Sequence, residues 1–474
     1  MVSSFHGLEL GKRALTASQA QITTTSHNIA NANTKGYSRQ QVLVDPSHAL
    51  SIYTNGKTSQ LGTGVLINSI IRVRDQYLDQ QYRNQTSGYG EWSIKQETLS
   101  QLESVINEPS ETGLSQAINE FWDAWENLAN HPDSMPARAV ITERVQALID
   151  MVKSMDQSMD TITNTLKNKQ TNKLDEANHL IDQIAELNKS IKIAGNNAND
   201  LLDQRDVLVE ELSKLVNVKV EEKNGMYNIK LEDDTSLING LTVENHLNLN
   251  SAMTSGELVG LSKSIETVND YQTKLTNMVK DLIFGEMTLK IPNSETVITV
   301  NGINGLSQLG WSLVEDENGN SLNGAPIFKA DPDQFSLKSL EINPDIKNNL
   351  GLIAASLRSE QVNGQTKVII GNGELAQLIA SLRLGDANNN NNIGSSFQTL
   401  VSQLGEQSNT AMNQLKYQEA SLIATENRRQ SITGVSLDEE MANLIKYQHA
   451  YNAAAKIVTV TDEILDTLIN RVAP

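Results

Sequence analysis

Apolar residues recur every seven positions at both extreme ends of the chain. Near the start these are Leu8, Leu15, Ile22 and Ile29, with the small residues Gly11, Ala14, Ser18 and Thr25 between them. Near the end Leu437, Leu444, Tyr451, Val458, Leu465 and Val472 repeat at the same spacing, broadened by Met441, Ala455, Leu468 and Ile469. A seven-residue stripe with small partners predicts a helix that packs closely on other helices. Ser436 and Glu439 form an S-x-x-E capping box at the start of the second helix. If both helices project from one body, they run antiparallel side by side. Charge favours that pairing. Residues 1–40 carry Lys12, Arg13, Lys35 and Arg39 against Glu9. Residues 437–474 carry Asp438, Glu439, Glu440, Asp462, Glu463 and Asp466 against Lys446, Lys456 and Arg471.

The interior is also strongly helical. Ile141, Val145, Leu148, Val152, Met155, Met159, Ile162 and Leu166 alternate steps of four and three. The pattern resumes, offset by about one residue, at Leu174, Ala177, Ile181, Ile184 and Ile191. This predicts one very long helix ending near Gly195, with a local change of winding at the offset. Leu258, Leu261, Ile265, Val268, Leu275, Val279 and Leu282 predict another helix, and Leu114 to Leu128 a shorter one closed by His131-Pro132. Residues 397–430 are a weaker helical candidate. Strand signals flank the Asn224-Gly225 turn within 216–231, and they return around Val297–Val300 and Trp311 in a proline-rich stretch. Asn388–Asn392 reads as a polar loop. The fold class expected is mainly α with a smaller β-rich part: an antiparallel, coiled-coil-like pair of terminal helices, a long helical-bundle body and an inserted β module. The corresponding domains are 1–36 with 436–474 for assembly; 37–215, 255–285 and 372–435 for the body; 216–254 for a β-hairpin element; and 286–371 for a β-rich outer insertion.

Composition narrows the function classes. The 474 residues include 38 Lys and Arg against 57 Asp and Glu, a net charge of −19 that disfavours nucleic acid and anionic membrane surfaces. No cysteine is present, which removes disulfides, thiolate nucleophiles and Cys-ligated zinc. No apolar run reaches the length of a membrane span, and the first thirty residues lack the apolar core of a signal peptide. Aromatics are only 4%, which suits long helices with thin aliphatic seams better than an aromatic core.

Candidate chemistry is sparse. Gly371-Asn372-Gly373-Glu374-Leu375-Ala376 fits G-x-G-x-x-A after an apolar run, but no second strand with an acidic residue follows, so it reads as a strand-to-helix turn. His6, His27, His48, His131, His179, His246 and His449 form no pair at metal-ligand spacing. Asp316-Glu317-Asn318-Gly319 suggests a calcium loop, yet Val314 and Ala325 stand at its first and last ligand positions. Asp438, Glu439 and Glu440 are explained by the dipole at a helix start. Trp125 reads as core, with Trp122 at its edge. No catalytic, cofactor or metal site is expected. An uncovered apolar stripe is unfavourable in water, and two thin helices bury only one face each, so the remaining apolar atoms need partners from other copies.

The segment Ser26-His27-Asn28-Ile29-Ala30-Asn31-Ala32-Asn33-Thr34-Lys35-Gly36-Tyr37-Ser38-Arg39-Gln40 resembles the N-terminal motif of bacterial flagellar rod, hook and hook-associated proteins. Its Gly-Tyr-Ser-Arg-Gln ending is most similar to the hook-associated protein 1 family of hook–filament junction proteins. Gly434–Leu444, Tyr447–Tyr451, Ile118–Phe121, Leu201–Asp206 and Ser255–Leu261 are similar to the same family, whereas 284–395 shows no such likeness. The resemblance implies a structural adapter, with Asn28, Asn31, Asn33, Gly36, Tyr37, Ser38 and Arg39 as its motif residues. It also implies self-assembly as a ring or tube, with the hook protein and a second junction protein as neighbours. A cytoplasmic chaperone on the C-terminal helix, export without a cleaved signal peptide and an extracellular place in the flagellum follow likewise. Another axial protein (second junction protein, rod or hook), a secreted adhesin-like protein and an enzyme using the Gly371–Ala376 turn are the competing expectations.

Overall fold

The computed structural model describes residues 5–54, 57–110, 112–195, 198–291, 295–384 and 392–467. Leu468, Ile469 and Val472 of the C-terminal stripe, and Asn388–Asn391 of the polar tract, lie outside the described residues. The chain begins with α1 (His6–Ala30), β1 (Gln40–Pro46), β2 (Leu50–Thr54), β3 (Lys57–Leu61) and β4 (Val65–Arg72). Helices α2 (Gln76–Ile106), α3 (Leu114–Asn130), α4 (Met135–Ala194) and α5 (Asn199–Leu215) follow. Next come β5 (Lys219–Lys223), β6 (Met226–Lys230), β7 (Ser236–Asn239), β8 (Thr242–Val243) and α6 (Glu257–Phe284). The β-rich stretch comprises β9 (Glu286–Lys290), β10 (Val297–Asn301), α7 (Gly302–Leu309), β11 (Trp311–Glu315), β12 (Ser321–Asn323), β13 (Phe328–Lys329), β14 (Glu341–Ile342), α8 (Pro344–Asn348), β15 (Ser359–Val362) and β16 (Gln365–Val368). The chain closes with α9 (Glu374–Ser381), α10 (Ile393–Thr433) and α11 (Leu437–Thr467).

These elements form two compact units. One holds residues 1–91, 172–259 and 416–474; the other holds 92–171 and 260–415. The divisions fall inside α2, α4, α6 and α10, so covalent helices supply both units. In the first unit, Ala177, Ile181 and Ile184 of α4 pack with Val209 and Leu212 of α5 and with Ile229, Leu237 and Ile238 of the antiparallel β5-β6-β7-β8 sheet. Asn188, fully buried on α4, ties that sheet down. Its Nδ2 donates to the Tyr227 carbonyl at 3.0 Å, and its Oδ1 accepts from Arg205 Nη1 at 2.9 Å. In the second unit, Phe121, Trp122, Trp125 and Leu128 of α3 share one core with Ile141 to Leu166 of α4, Leu261 to Ile283 of α6, and Phe397, Leu400 and Leu404 of α10.

Several expectations need correction. Residues 40–72 fall in a stretch assigned to the helical body, yet they form four strands, with β1 pairing β4 and β2 pairing β3. Val44, Leu66, Ile67 and Ile71 stay exposed on these strands, so period-two alternation is blurred. Trp122 is not at the edge: at 2% exposed it is as much core as Trp125, edge-to-face with Phe121 at 4.7 Å. The expected change of winding in α4 is absent, and the helix runs unbroken. Its stripe shifts between Leu166 and Leu174 because the division at residues 171 and 172 hands the helix from one core to the other. The Asn224-Gly225 turn forms as read, with φ of +54° and +75°.

The Gly371–Ala376 turn is a packing device. Among the described residues β16 pairs only with β15, antiparallel, and no parallel sheet accompanies it. The Asn372 carboxamide oxygen accepts from Ser356 Oγ at 3.0 Å and Leu357 N at 3.2 Å. A Cβ on Gly373 would lie 2.1 Å from the Ala129 carbonyl oxygen, whereas one on Gly371 would meet nothing within 4 Å. Gly371→Ala is therefore expected to leave the thermal midpoint nearly unchanged. Gly373→Ala should destabilise the chain by about 1–3 kcal/mol, read by urea or thermal unfolding.

Candidate functional site

The terminal helices meet within the first unit as an antiparallel pair. A Cβ on Gly11 would lie 2.7 Å from Val458 Cγ2, and one on Gly7 would lie 3.0 Å from Thr461 Oγ1. At the other end Asn28 Nδ2 donates to Glu440 Oε2 at 3.1 Å. The small residues of the N-terminal repeat thus set the approach distance. Gly11, Ala17, Ser18, Thr24, Thr25 and Asn28 are the buried residues of α1. The heptad residues Leu8, Leu15, Ile22 and Ile29 of α1, and Leu444, Tyr451, Val458 and Leu465 of α11, are all half-buried. Leu437 and Met441 are not brought into the pair; they remain 49% and 56% exposed. The opposite charges of the two helices contribute little across the seam. Arg39, which lies beyond the end of α1, pairs with Glu439 at the start of α11 at 3.3 Å, near the surface.

The motif after α1 anchors this pair. Asn28 is 1% exposed and uses both ends of its carboxamide. Its Oδ1 accepts from Tyr37 Oη at 2.7 Å and Gln40 N at 2.9 Å, while its Nδ2 donates to the Gln40 carbonyl at 2.9 Å and to Glu440. Asn31 closes α1 by donating to the His27 carbonyl at 3.0 Å. Asn33 stays exposed. Gly36 adopts φ +78°, and a Cβ there would lie 2.1 Å from Val207 Cγ2, so both backbone and space require glycine. Burial, with the carboxylates of Asp200, Asp203 and Glu440, pushes the Tyr37 hydroxyl far above the usual tyrosine range, which keeps it a hydrogen-bond donor. Ser38 presents its N–H and its hydroxyl to Asp203 at 2.9 and 2.7 Å. Arg39 N donates to the Thr433 carbonyl at 2.9 Å, which joins the motif to the last turn of α10.

Asp203 belongs to a buried charge cluster that sequence reasoning missed. Arg72 Nη1 reaches Asp203 at 2.8 Å and Asp206 at 2.7 Å. Arg74 grips Asp79 with two bonds of 2.9 Å and reaches Asp206 at 2.8 Å. Arg429 on α10 pairs with Glu210, lies 2.9 Å from Glu426, and stacks 4.0 Å over the Tyr82 ring. Tyr227 Oη donates to Asp206 at 2.6 Å. The cluster therefore joins β4, α2, α5, β6 and α10 around the motif. Burial works against an ionised Asp206, but Arg74 and Arg72 together with the Tyr227 hydroxyl outweigh it and hold this carboxyl below the ordinary range. Glu210 goes the other way: burial raises it despite Arg429. Leu201–Asp206 was legible as a family segment, but the partners Arg72, Arg74 and Arg429 stand on other elements with no spacing to tie them together. Glu440, read as one of three acids serving the helix dipole, is instead 4% exposed and bonded to Asn28. The capping box forms in part, with Glu439 N 3.4 Å from Ser436 Oγ while the Glu439 carboxylate turns to Arg39.

The site is thus a pair of terminal helices from the two ends of the chain, held by a polar anchor. Three family models bear on it. "Flagellar hook-associated protein FlgK helical domain" matches residues 99–275. "Flagella basal body rod protein" matches 8–37, and "Flagellar basal body rod FlgEFG protein C-terminal" matches 428–471. The flagellar hook-associated protein 1 of Bacillus subtilis is 29% identical, with 99% of each chain covered. That of Salmonella typhimurium is 23% identical over 96% of this chain and 98% of its own. The flagellar hook junction protein FlgK from Burkholderia pseudomallei shares the fold at a TM-score of 0.60 and 13% identity, covering 75% of this chain and 100% of that one. The chain is thus similar over nearly its whole length to proteins named flagellar hook-associated protein 1.

The two cluster carboxylates give opposite expectations. Asp206→Asn leaves Arg72 and Arg74 short of a buried counter-charge and should cost about 3–5 kcal/mol at neutral pH. Because its folded pKa is depressed, Asp206 contributes stability that is present above the ordinary aspartate value of 3.8 and lost as pH falls through the folded one. The cost of the substitution should therefore shrink in acid. Glu210→Gln removes a carboxylate whose ionisation the fold opposes, so it should cost less at neutral pH. Urea unfolding of both variants across pH 3–7 checks the contrast.

Proposed function

We propose that this chain is a structural component of the bacterial flagellum that joins hook to filament, built into the flagellum through its terminal helices, 1–36 and 436–474. The observation that carries this reading is the terminal helix pair, on a chain matched from end to end by hook-associated protein 1 relatives. A pair that covers only one face of each helix suits a subunit whose other faces are covered by copies of itself. The neighbours implied are the hook protein and the second junction protein. The motif residues Asn28, Tyr37 and Ser38 serve as the joint between the assembly helices and the rest of the subunit; Gly36 supplies the turn.

On this reading the protein works outside the cell as part of the axial structure, non-enzymatically. It leaves the cell through the flagellum's own export apparatus, and a cytoplasmic chaperone holds the C-terminal helix beforehand. Nothing observed favours the adhesin or enzyme readings over this one. Deletion of 437–474 should leave a folded remainder, because Glu440 and Ala454 are the buried residues of α11 and neither belongs to the main apolar cluster of either unit. The truncated chain should be absent from isolated flagella, and cells carrying it should be non-motile. Its normal presence in isolated flagella would overturn the reading.

A further inference from the structure

Within the second unit a cavity of about 460 Å³ opens between α2, α6 and α10. Small-ligand sites run from roughly 300 to 1,000 Å³. Leu99 of α2 and Ala411 of α10, 7% and 1% exposed, give it an apolar floor. The half-buried Trp92 indole forms a wall, with Lys95 Nζ 4.2 Å over its ring. Ser264 of α6 is the unusual member of the lining. It is 2% exposed, and its hydroxyl has no hydrogen-bond partner among the described residues. Other hydroxyls of the same lining turn back to their own helices. Thr98 Oγ1 donates to the Ile94 carbonyl at 2.9 Å, and Thr267 Oγ1 to the Lys263 carbonyl at 2.8 Å. A buried hydroxyl left without a partner is costly to the fold. Two amides on the exposed rim are half used. Gln403 Oε1 accepts from Lys274 Nζ and Gln407 Oε1 from Tyr271 Oη, each at 3.2 Å, while their N–H donors stay unpaired among the described residues.

We infer that this cavity is a binding site for a neutral saccharide of one or two rings. Glu406 and Lys95 are the charged residues of the lining, one of each sign, so the site carries no net charge to select a phosphate or an organic cation. An indole wall and an aliphatic floor suit the C–H faces of a sugar ring. The Ser264 hydroxyl and the two glutamine amides suit its hydroxyls, which both donate and accept. A wholly apolar ligand would seal these groups away without partners. A sugar instead gives Ser264 the bond that its own helix does not. The site belongs to the helical body and is independent of assembly through the terminal helices.

The purified full-length chain is titrated with maltose, cellobiose, lactose and diacetylchitobiose, with saturation-transfer NMR on the sugar as the readout. At least one of the four should bind saturably, with transfer strongest at its ring C–H protons. Trp92→Ala should weaken that binding about tenfold or more. Gln403→Ala, on the exposed rim, should weaken it about threefold and leave the thermal midpoint unchanged. Ser264→Ala separates a binding role from a packing role. Removing an unpartnered hydroxyl should leave the melt of the free chain unchanged or raise it, while affinity for the sugar falls about threefold to tenfold. Saturable binding by none of the four sugars would overturn the inference. So would binding that survives Trp92→Ala and Gln403→Ala at full strength, or a lowered melt with unchanged affinity for Ser264→Ala.

Discussion

The carboxamide of Asn28 has nowhere to go except where the structure puts it. It is buried, and a buried amide left without partners costs about 1–3 kcal/mol. Its four bonds reach Tyr37, Gln40 twice and Glu440, so the end of α1, the extended motif and the start of α11 are held by one side chain. A shift of register in the helix pair would orphan several of these groups at once. The pair therefore has a fixed end at the motif, and cover becomes thinner away from it. Phe5, for instance, is 56% exposed at the start of α1.

Around that fixed end, the charge cluster supplies specificity more than net stability. Ion pairs taken out of water regain little over an apolar packing of the same shape. They do penalise any arrangement in which Arg72, Arg74 or Arg429 loses its carboxylates. Ser38 bonds to Asp203, which in turn holds Arg72, so the motif and the cluster are a single network. This network gives a physical reason for the Gly-Tyr-Ser-Arg-Gln sequence: glycine for a left-handed turn against Val207, tyrosine and serine for buried donors, and main-chain bonds at Arg39 and Gln40.

Much of this was legible in the sequence, and the limits have physical causes. The long helices α4 and α6 were legible because their buried stripes are aliphatic. The long helix α10 was faint because in the first unit its buried positions are Thr425 and Thr433, with Arg429 nearly so, and hydrophobic periodicity cannot see polar side chains. The strands of 40–72 were hidden by apolar residues on both faces. The heptads correctly pointed to two helices and their antiparallel pairing. They did not distinguish the seam inside one chain from a surface between chains.

The central claim is that the motif pins the terminal pair to the first unit in the single chain, so that a subunit arrives with its outer faces already oriented. Amide hydrogen exchange on the dilute full-length chain tests this most directly. The account predicts strong protection at the amides bonded through the anchor, Ser38, Arg39 and Gln40, falling off along α1 towards Phe5 and along α11 towards Thr467. Exchange at free-chain rates across Ser38–Gln40, with the helical bodies still protected, would contradict it.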